Sequence, residues 1–230
     1  MIHLLKPKNI NYPKVRLGNW SDGGYVVSDK ALQTCSALFT YGVGHNITYE
    51  EDFIQKYSKP VYMFDHTMNM DSFEDGLLNY FDEGLGFENR CGDIFDHYKN
   101  LNIQNDIFVK VDVEGAEYDY FLKTDIKKLA SITSGLCIEF HKLNDPATRS
   151  MCINLLEVLE KYYTLVHVHG NNYGSLFSYE GYYIPEVLEL SYINKKLVNF
   201  EEFDRSKYPT ELDAPNNPNK PDYTLKFINN

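Results

Sequence analysis

Residues 107–117, with the sequence IFVKVDVEGAE, constrain the fold of this chain more than any other stretch. The β-branched and aromatic residues predict a buried parallel strand. Lys110, Asp112 and Glu114 alternate with apolar residues, so we expect them to share one face near the carboxyl end of the strand. Ligands bind beyond these strand ends in open α/β sheets, and charges are seldom buried without a partner. The segment therefore predicts a functional role for Asp112, whereas Glu114 or Glu117 can equally cap the next helix.

The charge and the cysteine content narrow the classes of function. The chain has 230 residues, which suits one α/β domain with extensions, and a formal charge of −11 from 33 acidic and 22 basic residues. This acidic balance disfavours binding along a nucleic acid backbone, which needs clustered Lys and Arg. The four cysteines lack paired spacing, which favours buried thiols in a reducing compartment. Because no stretch reaches the roughly 18 apolar residues of a membrane span and no signal-peptide core is present, we predict a cytoplasmic protein.

A glycine turn after an earlier strand provides the second signal. Residues 37–41 (ALFTY) predict a strand, residues 42–44 (GVG) a tight turn, and Asn46 or Thr48 can cap the helix that follows. Strand, Gly-x-Gly turn and helix is the arrangement that brings backbone close to a nucleotide-like ligand. The third glycine of the dinucleotide fingerprint is replaced by Ile47, which weakens the fit to a pyrophosphate.

The next strand ends in an acid. Residues 61–65 (VYMFD) place Asp65 about 20 residues beyond the glycine turn, where such folds hold a carboxylate on the ribose hydroxyls. Asp65 is therefore a candidate ribose ligand, and a turn role before His66 is the alternative.

Two later strands also end in polar side chains. The strand at residues 135–141 carries Glu139 and His141 on one face, and the next strand carries His167 and His169 on one face. A lone histidine on a strand is usually structural. Acids and imidazoles at three strand ends favour a shared site instead.

The remaining segments define the expected domain organisation. We expect an amino-terminal extension at 1–35, a central domain at 36–200 and a tail at 201–230 that wraps the domain or is flexible. The DGGY sequence at 22–25 predicts a hairpin that covers the sheet edge, with a glycine-rich loop over a ligand as the alternative.

Several elements between these motifs are also predicted. The sequence indicates a helix at 71–84, a weaker strand at 87–91 and a last strand at 187–192. Asp93 can lie near an adenine, or it can equally cap a helix at 94–101. A further amphipathic helix is expected at 147–162, after Asp-Pro.

Collected together, these motifs resemble the FkbM-type and related methyltransferase-like proteins that use S-adenosylmethionine. The resemblance extends through most of the chain, and KVDVEGAE is its most specific segment. It implies a Rossmann-like class I methyltransferase fold, an α/β structure with a mostly parallel seven-stranded sheet, helices on both faces and one antiparallel strand at the carboxyl-terminal edge. The matching segments are DGGY at 22–25, YGVG at 41–44, FDHT at 64–67, KVDVEGAE at 110–117, IEFH at 138–141 and HVHGNN at 167–172.

The resemblance further implies an S-adenosylmethionine-dependent O-methyltransferase that acts on a hydroxyl of a nucleotide-activated sugar or a polysaccharide precursor. The glycine turn would let backbone approach the amino acid part of the cofactor, and the acid at the end of the second strand would bind its ribose. The implied cofactor-binding residues are Tyr41, Gly42, Gly44, Asp65, Asp22 and Gly23.

The polar strand ends are the expected catalytic groups. A sugar hydroxyl is a poor nucleophile until its proton leaves, and histidine titrates nearest neutral pH, so His141 or His169 is the expected base, with Asp112 beside it. Asp112, Glu139 and His141 can also hold Mg²⁺ or another divalent metal that polarises the acceptor. Base catalysis without a metal needs only one His oriented by one carboxylate.

Two rival functions stay open. A nicotinamide-dependent oxidoreductase shares this sheet, but the missing third glycine argues against it. A metal-dependent hydrolase can use Asp112, Glu139, His141 and His169 without a nucleotide-like cofactor. A non-enzymatic binding module gives no reason for acids and histidines at several strand ends. The expected partner is a small sugar or sugar-nucleotide and not a nucleic acid, and the oligomeric state is open, a homodimer included.

Overall fold

The computed structural model describes residues 1–68, 76–204 and 206–228. Its central sheet has seven strands. In chain order they are β1 Ala37–Tyr41, β2 Val61–Phe64, β3 Leu78–Phe81, β4 Ile107–Val111, β5 Thr133–Phe140, β6 Tyr163–Gly170 and β7 Leu188–Asn194. The spatial order is β6-β7-β5-β4-β1-β2-β3, and all neighbours are parallel except the two pairs that β7 makes.

Six helices accompany the sheet within the described residues. They are α1 Asp29–Thr34, α2 Thr48–Tyr57, α3 Ile94–Asn100, α4 Glu117–Phe121, α5 Ile126–Ile132 and α6 Pro146–Leu159. The predicted cap of α3 is confirmed, because the Asp93 side chain accepts a hydrogen bond from the backbone N–H of Phe95. Helix α2 begins after Ile47, and Asn46 Oδ1 accepts the backbone N–H of Thr48 at 3.2 Å. The predicted cap was wrong: Ile47 occupies the N-cap position without a side-chain cap bond, because the helix begins at Thr48 and Asn46 lies one residue before the cap.

Two hydrophobic cores lie on opposite faces of the sheet. Ala37 and Phe39 of β1 belong to the core that includes α3 to α6, whereas Leu38 belongs to the core that includes α1 and α2. This alternation follows from the two-residue period of a strand. Because helices cover both faces of a mostly parallel sheet, the predicted Rossmann-like class I methyltransferase fold is confirmed.

The antiparallel strand lies one position inside the sheet. β7 pairs with β5 on one side and β6 on the other, so β6 forms the edge. The resemblance implied that the antiparallel strand would be at the edge, and this detail was wrong. Residues 188–194 gain hydrogen-bonded partners on both sides by inserting there, whereas an edge strand would leave one side unpaired.

The hairpin and the tail both pack on the domain. Lys14–Leu17 pairs antiparallel with Tyr25–Ser28, so the predicted hairpin is present, but it packs mainly on the interior strand β7 and not on the sheet edge that was expected. The tail wraps the domain, because its side chains enter the core. The tail residues that belong to this core are Tyr208, Leu225, Phe227 and Ile228. The domain boundaries themselves stay a prediction.

Two secondary-structure predictions were wrong. Of the helix expected at 71–84, residues 71–75 lie outside the described residues, and Leu78–Phe81 forms β3 instead. Parallel pairing with β2 outweighs the helical spacing of the apolar residues there. The strand expected at 87–91 is also absent: Gly84–Leu85 pairs with Cys91–Gly92, and the segment between them turns. None of the helices in the described residues combines the length and apolarity needed to cross a bilayer.

Candidate functional site

A cavity of about 390 Å³ opens where the carboxyl ends of β1, β2 and β4 meet. This position is the crevice in which open α/β sheets bind ligands. The structure brings together there all but one of the residues predicted to bind a cofactor. Those that line the cavity are Asp22, Gly23, Gly42, Gly44 and Asp65.

Tyr41 is the exception, because its side chain points into the core. Its hydroxyl lies 2.9 Å from Nδ1 of His97, and its ring stacks on Phe64 with centroids 4.8 Å apart. Only the backbone of Tyr41 supports the site, since its carbonyl accepts the N–H of Asp112 at 2.9 Å. Tyr41 therefore contributes to the position of the strand ends rather than to the surface of the cavity.

The glycine turn is required by a close approach between two strand ends. Gly42 has a φ of 74°, and a Cβ there would lie 1.6 Å from the carbonyl oxygen of Asp112. Gly44 has a φ of 61°, but a Cβ there would meet nothing within 4 Å, because it lies beside the cavity. Gly42 is thus needed for packing, and Gly44 leaves backbone accessible to a ligand.

Asp65 organises the wall of the cavity opposite β4. Its Oδ2 accepts the backbone N–H groups of Val43 and Gly44 at 2.9 and 3.1 Å. Its Oδ1 accepts the N–H and the hydroxyl of Thr67 at 2.8 and 2.6 Å. Burial raises the pKa of Asp65, but these hydrogen bonds outweigh burial and hold the pKa below its usual value. Asp65 is therefore an ionised carboxylate that ties the glycine turn to the end of β2.

Lys110 places a cation at the cavity from within the sheet. The residue is 4% exposed, and its Nζ lies 4.9 Å from the ring centroid of Tyr25 and 5.8 Å from that of Tyr49. Burial by itself lowers the pKa of Lys110, but the acidic side chains of Glu50 and Asp112 raise it above its usual value. Lys110 is therefore a charged ammonium with aromatic faces around it.

His141 is the centre of a cluster of carboxylates beside the cavity. Its backbone N–H donates to Oε1 of Glu117 at 2.9 Å, and its Nδ1 lies 3.3 Å from the same oxygen. Its Nε2 lies 3.5 Å from Oε2 of Glu114 and 3.7 Å from Oδ1 of Asp112. Burial lowers the pKa of His141, but Glu117 and the neighbouring acids raise it overall. One nitrogen of His141 is therefore fixed by a buried acid, and the other faces two carboxylates.

The residues with the spacing of a metal site are Asp112, Glu114 and His141. Each offers a ligand atom within 4.8 Å of the others. Glu114 has a φ of 55°, a left-handed conformation that turns the chain just after β4. The sequence predicted Glu139 in place of Glu114, because Glu139 lies on the neighbouring strand. The position of Glu114 depends on the turn that follows β4, which strand alternation does not describe.

Glu139 is held by hydrogen bonds below this cluster. The Tyr25 hydroxyl lies 3.1 Å from Oε2 of Glu139 and 2.8 Å from Oδ2 of Asp112, and Asn171 Nδ2 donates to Oε1 of Glu139 at 2.8 Å. Burial first, and then the charge of Asp112, raises the pKa of Glu139 well above its usual value. The nearest approach of Glu139 to Nε2 of His141 is 3.9 Å. Glu139 as a metal ligand stays a prediction, and the geometry gives it a supporting position.

His169 is separated from the cavity by its own ion pairs. Its Nδ1 lies 3.0 Å from Glu189 Oε2, and its Nε2 lies 3.1 Å from Asp222 Oδ2. Burial alone lowers the pKa of His169, but these carboxylates raise it well above its usual value. His167 Nε2 contacts Asp213 of the tail at 2.8 Å in a similar way. A catalytic role for His169 stays a prediction, and its contacts instead attach the tail to β6 and β7.

Sequence reasoning missed the supporting residues of the site. Tyr25 and Glu117 belong to the motifs at 22–25 and 110–117, but nothing in their spacing indicates a hydrogen bond to another strand end. Asn46 was predicted only as a helix cap, and its Nδ2 also donates to the carbonyl of Asp22 at 3.0 Å. This bond connects the hairpin loop to the start of α2 beside the cavity.

The strand order and the crevice together define a Rossmann-like α/β protein of class I methyltransferase topology. No family model and no curated protein matches the sequence. Among solved structures, the chain is similar to the Methanococcus jannaschii fibrillarin pre-rRNA processing protein, with 11% identity over 80% of this chain and 83% of that chain. The TM-score is 0.41. The fold assignment rests on the strand order, and this likeness adds neither an activity nor a substrate.

Proposed function

We propose that this protein is an S-adenosylmethionine-dependent O-methyltransferase whose acceptor is a hydroxyl of a sugar or sugar-nucleotide. The observation that carries the proposal is the cavity, in which a glycine turn and Asp65 adjoin a histidine–carboxylate cluster. The resemblance in the motifs supports the same cofactor. A cytoplasmic location and a small-molecule partner remain part of the proposal.

The charges around the cavity fit this cofactor better than a dinucleotide. Four carboxylates line the described cavity wall, and Lys110 is the one Lys or Arg among these residues. S-adenosylmethionine carries a sulfonium, an ammonium and one carboxylate, so its net charge is complementary to such a wall. A pyrophosphate would meet like charges, which repel. The lining acids are Asp22, Asp65, Asp112 and Glu114.

The residues present fit the two ends of this cofactor. Asp65 is an ionised carboxylate at the end of β2 whose two oxygens each already accept two hydrogen bonds, so it shapes the ribose end of the cavity, and Gly44 leaves open space beside backbone. When bound, the cofactor supplies a methyl group already activated by the positive sulfur. The protein then needs only to align the acceptor and to take up its proton.

His141 is the residue suited to receive that proton. Its Nδ1–H is held by Glu117, which leaves Nε2 as the basic nitrogen in the neutral ring. Asp112 and Glu114 flank Nε2 and can accept hydrogen bonds from neighbouring hydroxyls of the acceptor. A polyol with adjacent hydroxyl groups therefore matches the cluster.

As an alternative to base catalysis by Nε2 of His141, the same cluster fits a divalent cation. Asp112, Glu114 and His141 supply two carboxylates and one imidazole, and Glu117 fixes the imidazole from behind, as outer carboxylates do in metal sites. A hard cation such as Mg²⁺ would be held by the carboxylates, and its chemistry there would be to lower the pKa of an acceptor hydroxyl.

Calorimetry tests the proposed cofactor directly. We expect S-adenosylhomocysteine to bind the purified protein and NAD not to bind. Transfer of a labelled methyl group to a panel of nucleotide sugars should then identify the acceptor, and His141→Ala should abolish transfer while cofactor binding persists. Absence of binding to S-adenosylhomocysteine would refute the proposal, and binding of NAD alone would favour an oxidoreductase.

A metal-dependent hydrolase is the second candidate, because Asp112, Glu114 and His141 have the spacing of a metal site. This function needs no nucleotide-like cofactor. Turnover of an ester or phosphoester panel with a divalent metal and no added cofactor would support it. Lack of such turnover, together with binding of S-adenosylhomocysteine, would exclude it.

A further inference from the structure

Lys110 is a buried cation whose donors are unfilled within the described residues. Its side chain makes no hydrogen bond there, and no described carboxylate oxygen lies within 4.0 Å of its Nζ. Glu50 attracts it from a distance, yet neither carboxylate oxygen of Glu50 is hydrogen-bonded in the described chain. An ammonium has three N–H donors, and leaving them unpaired in a buried position is costly.

The register of the sheet puts this cation beside the glycine turn. Lys110 pairs with Thr40 of β1, two residues before Gly42, and both Lys110 and Gly42 line the cavity. Asp112 lies two residues after Lys110 at the same strand end, and Asp22 also lines the cavity. One cation between carboxylates matches a zwitterion, which brings one negative and one positive group to the same place.

We propose that the Lys110 ammonium binds the carboxylate at the amino acid end of the cofactor, an inference that rests on the proposed function. The carboxylate fills the donors that the protein leaves open. Asp22 and Asp112 line the same cavity and are the acids that suit the adjacent ammonium of the ligand. A phosphate is disfavoured at this position, because it would add a second negative charge among those carboxylates.

A double-mutant cycle between protein and ligand tests this contact. The ligands are S-adenosylhomocysteine and its analogue that lacks only the carboxylate, and the proteins are the wild type, Lys110→Met and Lys110→Arg. Lys127→Met is the matched control, because Lys127 is an exposed lysine of α5. Calorimetry measures each affinity, and thermal unfolding without ligand checks that each variant is folded.

We expect the wild type and Lys127→Met to bind the analogue about 10- to 100-fold more weakly than S-adenosylhomocysteine, as for loss of a charge-assisted hydrogen bond. Lys110→Met should bind the two ligands equally, and Lys110→Arg should retain part of the preference. A full wild-type preference in Lys110→Met would overturn the inference. If that variant does not fold, equal binding of both ligands by the wild type would overturn it. Failure of the wild type to bind either ligand would instead refute the methyltransferase assignment, and this inference with it.

Discussion

His141 and Glu117 are joined twice through one oxygen atom. Oε1 of Glu117 accepts the backbone N–H of His141 at 2.9 Å and lies 3.3 Å from Nδ1 of its ring. Glu117 has no exposed side-chain surface. Its other oxygen accepts the backbone N–H of Gly115 at 2.8 Å. One buried carboxylate at the start of α4 thus sets the turn after β4, the end of β5 and the orientation of the candidate base.

Replacing Glu117 with Gln should lower turnover while cofactor binding persists. An amide keeps the shape but removes the charge that favours the Nδ1–H form of His141, and loss of such a supporting partner costs roughly 10- to 100-fold in activity. Steady-state kinetics and calorimetry with S-adenosylhomocysteine measure the two effects. Asp119→Asn, an exposed change on the same helix, is the control. If Glu117→Gln turned over at the wild-type rate, Glu117 would have no role in orienting His141 for catalysis.

Replacing Gly42 with Ala should destabilise the fold strongly. The new Cβ would lie 1.6 Å from a backbone oxygen in a left-handed conformation, so we expect the free energy of unfolding to fall by more than about 2 kcal/mol. Gly181→Ala is the matched control, because Gly181 has a similar φ of 83° but open space around it. It should lose only about 1 kcal/mol. Urea unfolding gives both values, and equal losses would show that conformation rather than close approach dominates.

Metal affinity should depend more on Glu114 than on Glu139. Glu114→Gln removes a carboxylate that lies with Asp112 and His141, so we expect Mn²⁺ or Mg²⁺ to bind roughly 10-fold more weakly. Glu139→Gln keeps a side chain that can accept from Asn171, and a smaller effect is expected. Calorimetry with each metal makes the comparison. If Glu139→Gln weakened metal binding more than Glu114→Gln, the ligands would be Asp112, Glu139 and His141, as the sequence predicted.

Removing His169 should destabilise the protein in a pH-dependent way. His169→Gln leaves the buried carboxylate of Glu189 and the half-buried carboxylate of Asp222 without their cation, which costs about 3 kcal/mol. The folded-state pKa of His169 lies above its usual 6.5, so this stabilisation is complete below pH 6.5 and is lost as the pH rises through the folded-state pKa.

The measurement is urea unfolding of the wild type and of His169→Gln at a series of pH values from below 6.5 upward. His3→Gln serves as the control, because His3 is exposed. The difference in unfolding free energy should shrink as the pH rises. A difference that is constant with pH, or that grows, would contradict a charged His169 in the folded state.

Local pattern predicted the parts of the fold that depend on a repeating period. The sequence runs that form β1, β2, β4, β5 and β6 are mostly apolar. A short run of this kind is typical of a parallel strand that is buried on both faces of the sheet. The helix expected over β3 shows the limit of this reasoning. Leu78–Phe81 has an apolar spacing compatible with a helix, and its pairing with β2 decided the outcome.

The site was predicted in outline for the same reason. Polar groups after successive parallel strands must meet at one edge, so Asp65, Asp112 and His141 could be anticipated. The choice between Glu114 and Glu139 could not, because it depends on how the chain turns after Val111. The role of His169 depends on Asp222, which lies 53 residues away in the tail.

The sequence by itself determined a doubly covered α/β sheet with acids and histidines at its carboxyl edge, because strand alternation and apolar runs act over a few residues. Only the tertiary structure decided which of those groups are free to react. His169 is held in ion pairs by Glu189 and Asp222, His141 is oriented by Glu117, and Lys110 keeps open donors at a cavity. These outcomes are set by contacts between distant segments, where burial and charge change what one side chain can do.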